Sequence, residues 1–219
     1  MTRMSCASFQ GRHKSKMALR SETYEPHELL THLQAVITSR RFLDMQSLNN
    51  EVPFFICPYP IERQREIIEV YRLLLKQLDE RGINFLEINL FDLSYELLRD
   101  RGIWEQVLEA ELQFSKAELL ELLQGVLDPQ EHLIPAIRDR IAGASPQVML
   151  ITGVGEVYPY IRSHNVLNNL QSAAKDFPTV MFFPGRYTHA LASGASLDLF
   201  GRLHDDKYYR AFNILHLEA

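Results

Sequence analysis

The chain has 219 residues, 46% of them hydrophobic and 23% charged, with a formal net charge of −5. That is enough for one well-filled core but tight for two full-sized domains. No apolar stretch approaches the roughly 20 residues that a membrane span requires, and no secretory h-region stands near the start. Two cysteines far apart, Cys6 and Cys57, encode neither a disulfide framework nor a zinc cage.

Charge is unevenly distributed. Residues 1–20 hold five bases (Arg3, Arg12, Lys14, Lys16, Arg20) and no acid, leaving 18 bases against 28 acids in the remainder. The basic head has the composition of a DNA-binding arm or a transit peptide, but its expected state is a disordered leader. Met17 offers an alternative start just before the first patterned segment. The acidic body repels phosphate backbones, so direct nucleic-acid binding is not expected of it.

From Pro26 the apolar residues Leu29, Leu30, Leu33, Val36 and Ile37 share one helical face, with Pro26 suited to the first turn. Val52 to Cys57 reads as a short buried strand bracketed by prolines. A helix over 61–81 follows, with an apolar face of Ile67, Ile68, Tyr71, Leu74, Leu75 and Leu78 and Gly82 placed to end it. Residues 84–90, "NFLEINL", form a second strand. Strand, helix and strand in succession favour parallel pairing.

Residues 92–143 carry no strand signal and several helix starts. Ser115 with Glu118, and Asp128 with Glu131, have capping-box spacing. Leu119, Leu120, Leu122 and Leu123 supply an apolar stripe, and Pro135 divides the last piece into a turn and a helix ending near Gly143. The stretch is expected to be a helical insertion between strands two and three.

The alternation resumes with a third strand over 147–153, a helix from about Pro159 to Ala174, a fourth strand over 178–185 and a terminal strand over 211–217. The connection 185–210 is crowded with polar and aromatic residues, and long loops in compact domains are often functional. The fold expected is a single α/β domain over 21–219, its mostly parallel sheet of about five strands flanked by helices.

The third strand runs into Gly153-Val154-Gly155, the start of a phosphate-binding loop. The dinucleotide fingerprint G-x-G-x-x-G then fails, because Tyr158 occupies the third glycine position and Glu156 places a negative charge where pyrophosphate would sit. The ribose-binding acid expected about 20 residues on is missing from the end of the next strand, since Asp176 precedes that strand. No G-K-[ST] occurs anywhere; "GRYT", residues 185–188, is the nearest approach. A tight strand-to-helix turn accounts for both glycines without a ligand, and no cofactor is expected.

His204-Asp205-Asp206 lacks the further ligands of a hydrolytic metal centre, with only His189 as an unsupported partner, so no metal is expected. No G-x-S-x-G elbow supplies a serine nucleophile, and Cys57 at the end of an apolar strand reads as an inert core thiol. No catalytic residue is therefore assigned.

In open parallel sheets, ligands and partners gather outside the carboxyl ends of the strands. Glu156, Tyr158, Arg162 and His164 would arrive there from strand three and Arg186 from strand four. Tyr208, Tyr209 and Arg210, in "LFGRLHDDKYYRAF" (199–212), add residue types favoured as interface anchors. Glu156 and Arg162 would be polar specificity contacts and the tyrosines apolar anchors.

Four strings in order, "NEVPFFI" (50–56), "GVGEVYPYIRSHNVLNNL" (153–170), "FFPGRY" (182–187) and "LFGRLHDDKYYRAF" (199–212), resemble the BrxB family of BREX bacteriophage-exclusion systems. The similarity runs from about residue 26 to 217. It implies a cytoplasmic bacterial defence subunit working beside a methyltransferase, a large ATPase and the alkaline-phosphatase-like PglZ. It also implies physical association with PglZ and, more broadly, other BREX components. The family has no assigned catalytic residues. The expectation is a non-catalytic adaptor, with self-association left open. The alternative is a phosphate- or nucleotide-binding enzyme or sensor with a degenerate glycine loop, using Arg162, His164, His204 and Asp205.

Overall fold

A computed structural model describes residues 24–46, 53–190, 194–205 and 211–218. The chain opens with α1 (Pro26–Ile37) and the single turn α2 (Arg40–Leu43). Then come β1 (Phe54–Tyr59), a 3₁₀ turn (Ile61–Arg63) and α3 (Gln64–Glu80). The Schellman bonds Ile83 N–H to Leu78 and Gly82 N–H to Asp79 end α3. Its buried face is Ile67, Val70, Tyr71, Leu74 and Leu78. Ile68, expected on that face, is instead 38% exposed.

β2 (Phe85–Asn89) passes directly into α4 (Leu90–Asp100), because Asn89 Oδ1 accepts from the Phe91 and Asp92 amides and so starts the helix. α5 (Trp104–Gln113), α6 (Lys116–Val126), a π turn (Pro129–Leu133) and α7 (Ile134–Ala144) complete the crossover to β3 (Val148–Thr152). Ser115 and Glu118 form the expected capping box at α6. Asp128 caps the π turn by accepting from the Gln130 and Glu131 amides. The helical stretch thus lies between two parallel neighbours in the sheet.

α8 is shorter than the sequence suggests, Ser163–Leu170, because residues 153–161 first wind through tight turns that include a cis Tyr158–Pro159 bond. β4 (Thr179–Ala190) runs well past the expected end at 185. Its second half pairs antiparallel with β5 (Gly194–Leu199), which pairs with β6 (Leu203–Asp205). Most of the expected 185–210 loop is therefore sheet. The terminal strand shrinks to β7 (Phe212–Asn213), since Asn213 Oδ1 accepts from the Leu215 amide and turns the chain into a 3₁₀ turn over Ile214–His216. β1 itself runs through Pro58, which β4 alone flanks: β7 pairs only with Phe55 and Ile56.

The five parallel strands lie in the order β2-β3-β4-β1-β7, with β5 and β6 added through β4. Both faces are covered, and the two-residue period divides the strands between two cores. Phe54, Ile56, Met149, Ile151, Met181 and Phe183 face the cluster containing Leu90, Leu133, Ile137 and Leu167 from α4, the π turn, α7 and α8. Phe55, Cys57, Val148, Leu150, Val180 and Phe182 face Leu29, Leu33, Leu74 and Leu78 from α1 and α3. The connection after β1 thus packs on one face, while those after β2, β3 and β4 pack on the other. β1 and β4 are neighbours whose chains leave toward opposite faces, which makes their carboxyl ends the topological switch point.

Candidate functional site at the carboxyl edge of the sheet

The loop after β3 owes its glycines to packing. Gly153 has φ of +75°, and a Cβ there would stand 2.3 Å from Asn89 Oδ1 and 3.0 Å from the Leu90 and Phe91 amide nitrogens. The loop lies directly on the first turn of α4, and Asn89 already satisfies the amides that a phosphate would need. At Gly155 a Cβ would meet Phe200 and Pro184 at 3.0 Å. One glycine admits a helix terminus and the other admits the β5–β6 hairpin.

The turn after β1 is also closed. It reads Pro58-Tyr59-Pro60-Ile61-Glu62-Arg63-Gln64, without a glycine, and Pro60 has no amide to offer. The Tyr59 hydroxyl donates to Gln64 Oε1 at 2.5 Å. Arg63 donates to the Tyr24 carbonyl at 2.7 Å, lies 4.7 Å from the centre of the Tyr24 ring and pairs with Glu66 at 2.7 Å. Burial pushes the Tyr59 hydroxyl pKa upward, helped by the nearby Cys57 and Glu156, so it stays a neutral donor. Burial alone pushes Cys57 up to about 12, leaving the thiol protonated and inert.

Three depressions surround these turns. A crevice of about 460 Å3 at the switch point is lined by Pro58, Pro60, Glu62, Arg186, Phe200 and Arg202. Another of about 420 Å3, beneath α3, takes Tyr59, Gln64, Glu87, Asn89, Thr152 and Glu156. A small cleft of about 80 Å3 beside β5 and β6 is lined by Tyr158, Arg162, Leu197 and Leu203. Of the sequence-predicted residues, Glu156, Tyr158, Arg162 and Arg186 thus share one edge of the sheet without sharing one pocket.

Glu156, Arg162 and Arg186 are exposed there. Tyr158 is half-buried, its ring edge-on to Phe200 at 6.4 Å. His164 is different: at 2% exposure it lies in the core under the first turn of α8 and has no surface to offer a partner. Tyr208, Tyr209, Arg210 and Asp206 lie outside the described residues. His204 and Asp205 fall in β6, and among the described residues no group of three or more His, Cys, Asp or Glu side chains could hold a metal.

Sequence reasoning missed Glu62, Gln64, Glu87 and Arg202. Glu62, Gln64 and Glu87 lie on or just after the first and second strands, which also end at this edge, whereas Arg202 sits in the turn between β5 and β6, a hairpin that no apolar run marks. No helix among the described residues is long and apolar enough to cross a membrane.

The family model for the BREX protein BrxB matches residues 86–214. The chain is similar to BREX protein BrxB of Bacillus cereus (strain H3081.97), with 31% identity over 193 residues spanning 86% of this chain and 97% of that protein. It is also similar to BREX protein BrxB of Escherichia coli O9:H4 (strain HS), with 30% identity over 186 residues spanning 85% and 90%. No solved structure matches.

Proposed function

The chain belongs to the BrxB family and is a BREX component, and from that premise we propose that it is a non-catalytic adaptor whose sheet edge docks a partner protein. The partner is a PglZ-like protein of the same system, met in the cytoplasm. Glu156, Arg162 and Arg186 are the polar contacts and Tyr158 and Phe200 the apolar platform, while Tyr208, Tyr209 and Arg210, outside the described residues, are further contacts expected from residue type alone. His164 belongs to the support beneath it.

One observation carries this reading. At the positions where a parallel sheet holds a phosphate, Asn89 occupies the α4 amides and Pro60 removes a donor, while charged side chains stand exposed around the rim. Such a rim suits a protein surface, where Arg supplies directional hydrogen bonds and half-buried aromatics supply area. The test is co-elution of the purified chain with the PglZ-like protein. Arg162→Ala and Arg186→Ala should each weaken the complex about tenfold. Undiminished binding by folded variants would move the contact elsewhere.

A second reading, a phosphate or nucleotide sensor, is favoured by the two arginines, Arg186 and Arg202, that line the switch-point crevice. It predicts a thermal shift of several degrees with nucleotide and divalent metal. The adaptor predicts none.

A further inference from the structure

The helices α5 and α6 bury much less than their sequences offer. α6 carries Leu119, Leu120, Leu122 and Leu123, yet no residue of this helix is buried; α5 buries only Val107. Leu112 is 88% exposed, Phe114 45% and Phe91 47%. Between α4, α5 and α6 runs an apolar depression of about 180 Å3, lined by Tyr95, Trp104, Leu108, Leu119, Leu123 and Leu127. A helical layer this apolar and this open is one covering short of closed.

The rim identifies what covers it. Over 104–126 the chain has five acids (Glu105, Glu109, Glu111, Glu118, Glu121) against one base, Lys116. All five are exposed, and Glu111 also lines the groove. None of Glu105, Glu109, Glu111 and Glu121 has an ion-pair partner among the described residues. An anionic lipid surface would be repelled by such a rim. A second copy docking by the same face would bring acid against acid.

We infer that this groove receives an amphipathic helix of a partner protein, with apolar anchors at i, i+3/4 and i+7 seated between α5 and α6 and lysines or arginines flanking them against the glutamates. The groove shares no lining residue with the three carboxyl-edge depressions, although Tyr160 of the loop after β3 reaches it, and its occupant is recognised by pattern: an apolar stripe between basic flanks.

The probe is a synthetic helix of about five turns with leucines on one face and lysines elsewhere, labelled for fluorescence anisotropy and titrated with the full chain. Two control peptides accompany it: the same composition scrambled so that no apolar face forms, and the same apolar face with glutamates replacing lysines. The leucine–lysine helix should bind at least about tenfold more tightly than either control, with affinity falling as salt rises. Leu108→Glu should weaken it by about tenfold or more. The triple reversal E105K/E109K/E121K, confined to exposed positions, should reverse the preference toward the glutamate helix. Equal binding of the scrambled peptide, or unchanged binding by Leu108→Glu with a native circular dichroism spectrum, would overturn the proposal. So would binding that appears only after residues 1–16 are deleted, because the basic leader would then be the occupant.

Discussion

The two helical layers of this molecule start from similar apolar periodicity and end differently. Against one face of the sheet, α1 and α3 bring Leu29, Leu33, Leu74 and Leu78 to complete burial. Against the other, α4, α7 and α8 do the same, but α5 and α6 stand at the margin, the leucines of α6 half-covered and Leu108 and Leu112 of α5 exposed. A heptad-like stripe specifies a helix with something apolar to face. Whether that something is the chain's own sheet is decided by where the crossover places the helix. The same contrast holds at the carboxyl edge, where packing uses both glycines of the loop after β3 and leaves the charged side chains exposed.

The largest effect that would sharpen this contrast is truncation in the sealed layer. Leu74→Ala should cost about 2–5 kcal/mol in a denaturant melt, whereas Leu112→Ala should stay within about 0.5 kcal/mol. Comparable losses at the two positions would mean that α5 is core. Next comes Gly153→Ala, which forces a side chain into a left-handed backbone and onto Asn89. A cost of about 1–3 kcal/mol is expected, with loosened hydrogen-exchange protection at the start of α4. A neutral Gly153→Ala would show that the loop does not rest on that helix end.

Ser115→Ala removes half of the capping box at α6, worth about 1 kcal/mol to that helix. Because α6 is only half-covered, the loss should appear as faster amide exchange over 116–126, with little change in the global melt. Smallest at neutral pH is the thiol effect. Cys57 should ignore a thiol reagent in the native protein and react once unfolded. Its pKa is raised in the folded state, so its contribution to stability is intact below the unfolded thiol pKa, about 8.5, and declines as pH rises from there toward 12. Native labelling at pH 8 at the rate of the unfolded chain would contradict that burial.

The parallel frame was legible in the sequence because doubly buried strands announce themselves as short β-branched and aromatic runs between helices. Long amphipathic segments such as α3 were equally plain. The second half of β4 and the hairpin after it were not, since Arg186, Thr188, Ser196 and Asp198 give no apolar run; their order comes from antiparallel pairing, a non-local fact. The terminal strand was over-read for the opposite reason: Ile214 and Leu215 are fully buried but helical, and Asn213 makes the difference. At the site, exposure of Glu156 and Arg162 followed from their places after the third strand, whereas Arg186 is exposed within the second half of β4 rather than beyond its end. The burial of His164 did not, because one residue of phase in a short helix, starting four residues later than expected, decides which way its ring faces.

Hydrogen–deuterium exchange of the chain alone and with the proposed PglZ-like partner reads the docking surface directly. The carboxyl-edge account predicts protection over 153–162 and 184–188. Protection confined to 104–126, or complex formation with no change at the strand ends, would contradict it.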